Sequence, residues 1–316
     1  MNYHIPVLLD ECVQALNIEN YKKIEKSHKR IYVDGTFGGG GHTTAISKKI
    51  NENGLVIAID QDKEAIDRGN IRNKELGLNN ITLVHDNFSN MKNILQNLNI
   101  QEVTGVLIDL GVSSYQLDTD YRGFSYTKDA RLDMRMNTLS DFDAHELVNY
   151  YEQNKLKRIF KMYGEESFAG LIAKNIVISR EKKEIDTTKQ LFDIIINSVP
   201  KKMGLSPVKR IFQAIRIEVN NELGIIEQTI KDAVNMLESG GRLAIITFHS
   251  LEDRIVKQTY RNLANPCKCP RDFPHCICEN EPTIKILSKK PILPTETEMN
   301  NNSRSKSAKL RVLEKL

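Results

Sequence analysis

The stretch Ile31-Tyr32-Val33-Asp34-Gly35-Thr36-Phe37-Gly38-Gly39-Gly40-Gly41-His42 decides the fold. Three strand-forming residues end in an acidic one, a glycine-rich turn follows, and a helical pattern begins at Thr43. Glycines let the backbone approach a ligand closely, and the start of a helix offers amide donors. The pattern predicts a strand–turn–helix unit that binds a cofactor, although a tight structural turn would use the same residues.

Three later strand patterns also end in polar residues: the second in Asp60, the third in Asp86-Asn87-Phe88 and the fourth in Asp109. In an open sheet of parallel strands, ligands bind outside the carboxyl ends of the strands. A carboxylate at Asp60 can accept hydrogen bonds from both ribose hydroxyls, and the ring of Phe88 can pack on adenine. Asp109 is expected beside the reacting centre. The strand ends together predict a cofactor that contains a nucleoside.

The glycine turn distinguishes two cofactor classes. A dinucleotide site would carry G-x-G-x-x-G, which this turn does not supply. Asp34, Gly38 and Gly40 instead match the acidic-x-Gly-x-Gly-x-Gly turn typical of class I methyltransferases, with Thr36 in place of the first glycine. S-adenosylmethionine is therefore the expected cofactor. A nicotinamide-dependent oxidoreductase is the competing enzyme hypothesis.

The alternation of strands and helices stops between residues 118 and 219, where the apolar spacing is helical. The strand pattern resumes near Gly241, and this arrangement predicts an α/β fold with a class I, Rossmann-like sheet. The sheet is built from 1–117 and 220–316, and 118–219 forms an inserted helical domain. Helices are expected over 144–152, 156–180 and 188–198, late strands over 242–247, 284–287 and 309–313, and a polar loop over 300–307.

Six longer motifs extend the comparison to nearly the whole chain: HIPVL at 4–8, TFGGGGH at 36–42, IDLGVSSYQL at 108–117, RLDMRM at 131–136, FHSLEDR at 248–254 and RSKSAKLR at 304–311. Together they resemble the bacterial 16S ribosomal RNA cytosine-N4 methyltransferase family (MraW/RsmH). The resemblance implies S-adenosylmethionine-dependent methylation of the N4 amine of one cytidine in the decoding region. It also implies 16S rRNA, or the small ribosomal subunit, as the partner, with the inserted domain contacting RNA.

The resemblance carries a set of cofactor contacts over to this chain, motif by motif. Most of them coincide with the turn and strand ends described above, and Gln116 is the one that spacing alone does not select. The implied contacts are Gly40, Gly41, His42, Asp60, Phe88, Asp109 and Gln116.

Two residues are candidates for the chemistry. Asp109 could hold the target amine and take its proton, or bind only the methionine part of the cofactor. His249 follows the fifth strand and could hydrogen-bond a base edge, although a histidine at a strand end is often structural. Charged and polar residues of the same motifs are candidates for contacts with RNA, and the alternating charges among them are equally compatible with internal pairing. This substrate set is Arg131, Asp133, Arg135, Ser250 and Arg254.

Four of the five cysteines crowd into a short segment as Cys267-x-Cys269 and Cys276-x-Cys278, with His275 before the second pair. Such a cluster could hold zinc, or it could consist of reduced thiols. The pairs are closer than the spacing of two to four residues that is usual for zinc ligands. No metal is assigned on sequence grounds.

The 316 residues carry a net charge of +4, and no apolar run approaches the about 20 residues of a membrane span. The beginning of the chain lacks a signal-peptide pattern, so a cytoplasmic protein is expected. Residues 283–316 hold eight Lys/Arg against three Glu, either as a phosphate-facing patch or as solvated lysines. The oligomeric state stays open, with a homodimer among the alternatives. A non-catalytic RNA-binding factor and a methyltransferase for proteins or small molecules are the remaining hypotheses.

Overall fold

The structure, a computed structural model, describes residues 6–19, 29–267, 269, 277, 278 and 280–316. It contains two compact units. One is formed by Met1–Gly111 together with Ile225–Leu316, and the other by Val112–Gly224. The first unit holds the sheet, and the second is helical.

The described elements include seven strands and thirteen α-helices, numbered here in chain order, besides five short 3-10 helices. The strands are β1 (Arg30–Asp34), β2 (Gly54–Asp60), β3 (Ile81–His85), β4 (Val103–Asp109), β5 (Leu237–Thr247), β6 (Ile284–Ile286) and β7 (Lys309–Lys315). The helices are α1 (Leu9–Ala15), α2 (Gly41–Ile50), α3 (Lys63–Glu75), α4 (Met91–Asn97), α5 (Ser114–Asp118), α6 (Ala144–Tyr150), α7 (Gln153–Met162), α8 (Ala169–Arg180), α9 (Thr188–Asn197), α10 (Ser206–Asn220), α11 (Ile226–Met236), α12 (Ser250–Ala264) and α13 (Glu296–Asn301).

The seven strands form one sheet in the order β3-β2-β1-β4-β5-β7-β6. Strands β1 to β5 are parallel, and β7 pairs antiparallel with both β5 and β6. The chain builds outward from β1 to β3 and then returns to place β4 on the other side of β1. In open α/β sheets, ligands bind at this reversal, outside the carboxyl ends of the strands. Asp34 of β1 and Asp109 of β4 lie at these ends.

The interiors of the central strands β1, β2 and β4 are buried because helices cover both faces of the sheet, as expected for parallel strands. Val33, Ile57 and Val106 are 0–1% exposed. On one face, α1 packs its apolar side against the sheet, with Cys12 and Tyr32 in the same buried cluster. The predicted α/β fold class and all seven strand positions are confirmed.

The helical unit has its own core, to which each of its longer helices contributes. Leu147 of α6, Phe160 of α7, Ile172 of α8, Leu191 of α9 and Ile211 of α10 belong to one buried cluster. Helices of this length need such packing because isolated helices of 7–15 residues are marginal in water.

The helical unit is somewhat longer than the segment 118–219 that the helical spacing marks. Before it, Val112 and Leu117 pack against the helical core. After it, the side chain of Asn220 accepts a hydrogen bond from the amide of Met136 (2.7 Å) and donates one to the carbonyl of Met134 (2.8 Å). Tertiary contacts between residues far apart in the sequence, which the helical period does not register, set the second of these boundaries.

The structure corrects two sequence expectations. The helical pattern over 156–180 is two helices, α7 and α8, because the chain passes through Gly164, where a side chain would meet the carbonyl oxygens of Phe160 and Arg210 at 2.7 and 2.8 Å. Glu165 then adopts a positive φ of 49°. The expected polar loop 300–307 contains the end of α13 and a short 3-10 turn, because the Thr295 side chain caps α13.

Among the described residues, no helix is both long enough and apolar enough to cross a membrane.

Candidate active site

The turn after β1 is held by the acidic residue that ends the strand. Asp34 is buried, and one of its carboxylate oxygens accepts a hydrogen bond from the Thr43 hydroxyl at 2.6 Å. The other accepts one from the amide of Thr36 at 3.1 Å. The acidic position of the turn pattern therefore fastens the loop to the start of α2.

Two glycines of the turn stand where a side chain would not fit. Gly40 has a φ of +72°, a left-handed conformation that L-residues rarely adopt, and a Cβ there would lie 2.7 Å from the ring of Phe37. A Cβ on Gly41 would overlap the ring of Pro6. Phe37 and Pro6 thus close the turn from two sides, and only glycine permits this approach.

Asp60, at the end of β2, is bound to the same turn. One carboxylate oxygen accepts a hydrogen bond from the amide of Gly38 at 2.6 Å, and the other accepts one from the amide of Asp62 at 2.8 Å. Burial raises the pKa of Asp60 to about 6, although these two amides act to lower it. Each carboxylate oxygen keeps a second lone pair, so the group can still accept hydrogen bonds from a ligand.

Phe88 follows β3 and lies against the first turn. A Cβ on Gly35 would be 3.2 Å from the Cβ of Phe88, so the two backbones approach closely here. The side chain of Asn87 fixes the chain at this point, because it accepts a hydrogen bond from the amide of Ser89 at 2.9 Å and donates one to Gln61 at 2.8 Å. The predicted aromatic residue therefore adjoins the glycine-rich turn.

Asp109 ends β4, and its backbone amide donates to the hydroxyl of Thr36 at 2.7 Å. Its side chain is 26% exposed, yet the Oδ1 atom is buried and has no hydrogen-bond partner within the described part of the chain. Burial raises the pKa of Asp109 well above its ordinary value, and the charges of Asp34 and Glu252 raise it further. A buried carboxylate oxygen without a hydrogen-bond partner is costly, and such groups concentrate at functional sites.

His42, in the first turn of α2, faces Asp109. Its Nδ1 atom lies 3.9 Å from Oδ2 of Asp109, and its Nε2 atom lies 3.0 Å from the carbonyl oxygen of Val7. Because a carbonyl can only accept, Nε2 carries the proton, and Nδ1 of the neutral ring presents a lone pair. Burial lowers the pKa of His42, which favours this neutral form.

His249 and Glu252 cap the helix that follows β5. The ring of His249 accepts a hydrogen bond from the Glu252 amide at 3.4 Å. The Glu252 carboxylate in turn accepts from the amides of Phe248 (2.7 Å) and His249 (3.2 Å). This is a capping box, in which the side chains of the first and fourth residues satisfy each other's amides. His249 therefore has a structural role as a helix cap, which was one of the two alternatives that the sequence left open.

The neighbouring motif residues divide between buried and exposed positions. The carboxylate of Asp253 accepts two hydrogen bonds from the largely buried Arg311 of β7, at 2.6 and 3.2 Å. Ser250 and Arg254, on the first turns of α12, are exposed. The basic residue Arg311 therefore stabilises the first unit, while Ser250 and Arg254 face solvent.

In the helical unit, Gln116 takes part in a second capping box. Its amide oxygen accepts a hydrogen bond from the amide of Ser113 at 3.0 Å, and the Ser113 hydroxyl accepts one from the Gln116 amide at 3.2 Å. The residue is buried, at 4% exposure. The spacing Ser-x-x-Gln is the sequence signal for this cap.

The charged residues after Ala130 pair with one another. Asp133 accepts hydrogen bonds from Nε and Nη2 of Arg135 at 2.9 and 2.7 Å. Burial acts to raise the pKa of Asp133, but the bonds and charge of Arg135 lower it below its ordinary value. Arg131 contacts Asp143 at 2.7 Å with a side chain that is 56% exposed. Arg135 is thus committed to the loop, whereas Arg131 keeps much of its surface in solvent.

Three cysteines of the predicted cluster lie close together in the structure. The sulfur atoms of Cys267, Cys269 and Cys278 all lie within 4.8 Å of one another. Cys276, the fourth member of the predicted cluster, lies outside the described residues.

Comparison with known proteins identifies the family. The sequence model of the MraW methylase family matches residues 1–316. The chain belongs to the MraW methylase family. The resemblance inferred from the motifs is therefore confirmed, and the chain is a methyltransferase.

Two relatives of this MraW-family chain are similar over their whole lengths. One is the ribosomal RNA small subunit methyltransferase H of Clostridium botulinum (strain Loch Maree / Type A3), 52% identical over 315 residues, with 99% of both chains covered. The other is the protein of the same name from Clostridioides difficile (strain 630), 49% identical over 317 residues, again with 99% of both chains covered. A solved rRNA methylase from Streptococcus thermophilus shares 13% identity with a TM-score of 0.44 over 99% of each chain.

Sequence reasoning missed two parts of the methylase site. The segment Pro6–Leu8 closes over the turn through Pro6 and the Val7 carbonyl, and the carboxylate of Glu298 accepts a hydrogen bond from the amide of Leu8 at 2.8 Å. Contacts over such sequence separations leave no local signal. The role of Glu252 had a signal, because the spacing His249-x-x-Glu252 resembles a capping box.

Proposed function

We propose that this methyltransferase uses S-adenosylmethionine to methylate the N4 amine of a cytidine in the decoding region of 16S rRNA. One observation carries the proposal. The glycine turn, Asp60 and Asp109, whose Oδ1 lacks a partner among the described residues, lie together at one edge of the sheet. Membership of the MraW methylase family supports the reaction type, and the long motifs support the choice of acceptor.

The described residues fit S-adenosylmethionine. Asp60 has lone pairs for ribose hydroxyls, and Phe88 offers an apolar surface next to the turn for the adenine. The buried Oδ1 of Asp109 lacks a partner among the described residues and suits a cationic or hydrogen-bonding group. Gly40 and Gly41 bring the backbone close, with His42 at the start of α2. When bound, the cofactor supplies a methyl group on positively charged sulfur.

Asp109 is proposed to hold the target amine and to accept its proton. The exocyclic amine of cytosine is a weak nucleophile because its lone pair is delocalised into the ring. When the nitrogen gains a methyl group it loses one proton, and a carboxylate at this place takes that proton. Burial and the nearby charges of Asp34 and Glu252 raise the pKa of Asp109, so its ionised form is a stronger base than an ordinary carboxylate.

Thr36 is proposed to position Asp109, because its hydroxyl anchors the backbone of that residue. His42 lies alongside, with its ring fixed by the Val7 carbonyl and its unprotonated Nδ1 towards the carboxylate. Nδ1 can only accept a hydrogen bond, so it suits Asp109 in the protonated form that exists after the carboxylate has taken the proton. Precise positioning of reacting groups can contribute about 7–11 kcal/mol to lowering a barrier, so the Thr36 anchor is mechanistically useful.

The proposed RNA contacts are the exposed residues of the family motifs. Arg254 and Arg131 can bind phosphates, and Ser250 can hydrogen-bond RNA. Asp133 and Arg135 would act indirectly by shaping the loop that carries Arg131. Turning the target base out of its stack costs a few kcal/mol, which such contacts offset. His249 and Gln116 are helix caps here, and direct roles for them towards base and cofactor stay proposals from the family motifs.

The deciding experiment compares small-subunit RNA from cells with and without the gene by mass mapping. The expected result is loss of one methyl group from the base of one cytidine in the decoding region. A methyl group missing from another nucleotide, or an unchanged map, would contradict the proposal.

The substrate is proposed to be the assembled small-subunit particle. Purified protein, labelled S-adenosylmethionine and either particles or a short transcript would be compared. Faster labelling of particles is expected, and equal rates on the two substrates would argue against the particle. Labelling of protein rather than RNA would favour the alternative substrate class.

A further inference from the structure

Three cysteines lie together outside the site described above. Cys267 follows the end of α12, and Cys278 precedes β6, so the two approach from opposite ends of one connection. Cys269 completes the group, and the three sulfur atoms lie within 4.8 Å of one another. The base of the connection is closed by a hydrogen bond of 3.2 Å from the Thr283 amide to the Leu263 carbonyl.

The spacing of the sulfur atoms suits a shared metal ion better than a disulfide. A disulfide joins two sulfur atoms and leaves the third unused, whereas one metal ion can bind all three. A tetrahedral zinc site has Zn–S bonds of about 2.3 Å, which places its sulfur ligands about 3.8 Å apart. The three sulfur atoms lie within 4.8 Å of one another, which exceeds that spacing by at most about 1 Å.

The backbone supplies a donor to one of these sulfur atoms. The amide of Ile277 donates to Sγ of Cys269 at 3.4 Å. Backbone amides directed at sulfur stabilise the thiolate over the thiol, and hydrogen bonds to ligand atoms are typical of metal–sulfur sites. The short C-x-C spacing, unusual for zinc, is therefore compensated by the position of Cys278, whose sulfur lies close to those of Cys267 and Cys269.

We propose that Cys267, Cys269 and Cys278 bind one structural zinc ion. Thiolates select thiophilic metals, and zinc forms tetrahedral sites of this kind without redox chemistry. Each thiol releases its proton to solvent as its sulfur binds the metal. The three described cysteines define the site, and a fourth donor, a water molecule or a further thiol, would complete the tetrahedron. Cys276 is a further thiol of the same segment and lies outside the described residues.

The position in the sheet indicates that this metal is structural. Strand β6 runs in the same direction as β5, because both are antiparallel to β7. Ile284, which begins β6, pairs with Lys315, whereas Thr247, which ends β5, pairs with Lys309. The connection therefore reaches β6 at the amino ends of the parallel strands, opposite the edge that carries Asp60 and Asp109. The metal would fasten α12 to the edge strand β6.

Metal content of the purified full-length chain tests the proposal. The protein would be produced with zinc in the medium, passed through a mild chelator and measured by elemental mass spectrometry. About one zinc per chain is expected for the wild type and for the control Cys12→Ala, whose cysteine is buried in α1. Cys269→Ser and Cys278→Ser are each expected to lower zinc retention at least about tenfold.

Cobalt substitution gives a readout that does not depend on the stability of a variant. Wild-type chain loaded with Co²⁺ is expected to show sulfur-to-cobalt charge-transfer absorption, which disappears when Zn²⁺ is added back. Wild-type protein without zinc and without this absorption would overturn the proposal. So would copper or iron as the retained metal, a disulfide between two of the three cysteines, or equal zinc in the cysteine variants. None of these readouts involves methyl transfer, so they are independent of the proposed substrate.

Discussion

The hydroxyl of Thr36 accepts a hydrogen bond of 2.7 Å from the backbone amide of Asp109. The contact joins the turn after β1 to the end of β4, across the reversal point of the sheet. Thr36 occupies the position at which the usual methyltransferase turn has glycine, so a departure from the general pattern supplies an anchor for the proposed proton acceptor.

Thr36→Val is expected to lower kcat while Thr36→Ser retains it. Valine has the shape of threonine but no acceptor, so it leaves the Asp109 amide unsatisfied, at a cost of about 1–3 kcal/mol. Displacement of the adjacent carboxylate by a fraction of an ångström then slows transfer. Single-turnover labelling of RNA, with urea unfolding in parallel, measures both effects. Equal kcat for the valine and serine variants would refute the anchor.

Asp109→Ala is expected to abolish transfer in a folded protein, and Asp109→Asn to lower kcat about 10²- to 10⁴-fold, the usual contribution of a positioned base. Neither change is expected to lower the melting temperature, because burial and the charges of Asp34 and Glu252 already disfavour the ionised carboxylate. Circular dichroism and thermal melts check the fold, and quench-flow labelling checks the chemistry. Near-normal turnover by either variant would remove Asp109 from the reaction.

Asp60 is expected to make both stability and cofactor binding depend on pH. Burial raises its pKa to about 6 in the folded chain, from an ordinary value of 3.8. Between these values the folded state binds more protons than the unfolded state, so the free energy of unfolding falls as pH rises through this window and levels off above it. Urea unfolding across the window measures this slope, which Asp60→Asn should reduce.

Cofactor binding should follow the opposite trend, because the ionised Asp60 carboxylate is the better acceptor for ribose hydroxyls. Calorimetry with S-adenosylhomocysteine between about pH 5 and about pH 7, bracketing the raised value, should give tighter binding at the higher pH. In Asp60→Asn the binding should be weaker and nearly independent of pH. A wild-type affinity that does not change across this range would exclude Asp60 from the binding site.

Gly40→Ala and Gly39→Ala form a matched pair of adjacent substitutions. A Cβ at residue 40 meets the Phe37 ring at 2.7 Å with φ at +72°, whereas a Cβ at residue 39 meets nothing within 4 Å. The strained backbone alone costs about 1–3 kcal/mol, so Gly40→Ala should lower stability and weaken cofactor binding. Gly39→Ala should be close to wild type in both. Thermal melts and calorimetry compare the two, and equal effects would show that the clash with Phe37 is not decisive.

The sequence predicted the parts of the site that depend on local pattern. Apolar runs that end in Asp60 or Asp109 are recognisable because buried parallel strands are short and their polar ends stand out. The break in the helical pattern over 156–180 was not predictable, because it depends on the backbone of Arg210 lying against Gly164. The His42 tautomer was likewise hidden, since its partner is the carbonyl of a residue far away in the chain.

The alternating charges of residues 131–135 predicted a charged loop but did not predict which side chains pair with each other. The alternation Arg131, Asp133, Arg135 was compatible with phosphate binding or with internal pairing, and the structure pairs Arg135 with Asp133 while leaving Arg131 largely exposed. Which charges meet depends on the loop conformation, and Met134 adopts a positive φ of 59° that no local propensity predicts. The sequence thus identified the charged segment but not which of its side chains pair with each other and which stay exposed.

The clamp on Pro6–Leu8 has a consequence for biosynthesis. Glu298, which lies 290 residues after Leu8, accepts a hydrogen bond from the Leu8 amide, and the preceding carbonyl of Val7 orients His42. The glycine turn leaves the ribosome early, yet its covering segment cannot be fixed until α13 has been translated. A nascent chain therefore acquires a complete catalytic edge only after α13 has been synthesised, so products that stop before α13 should bind cofactor poorly even where β1 to β5 have paired.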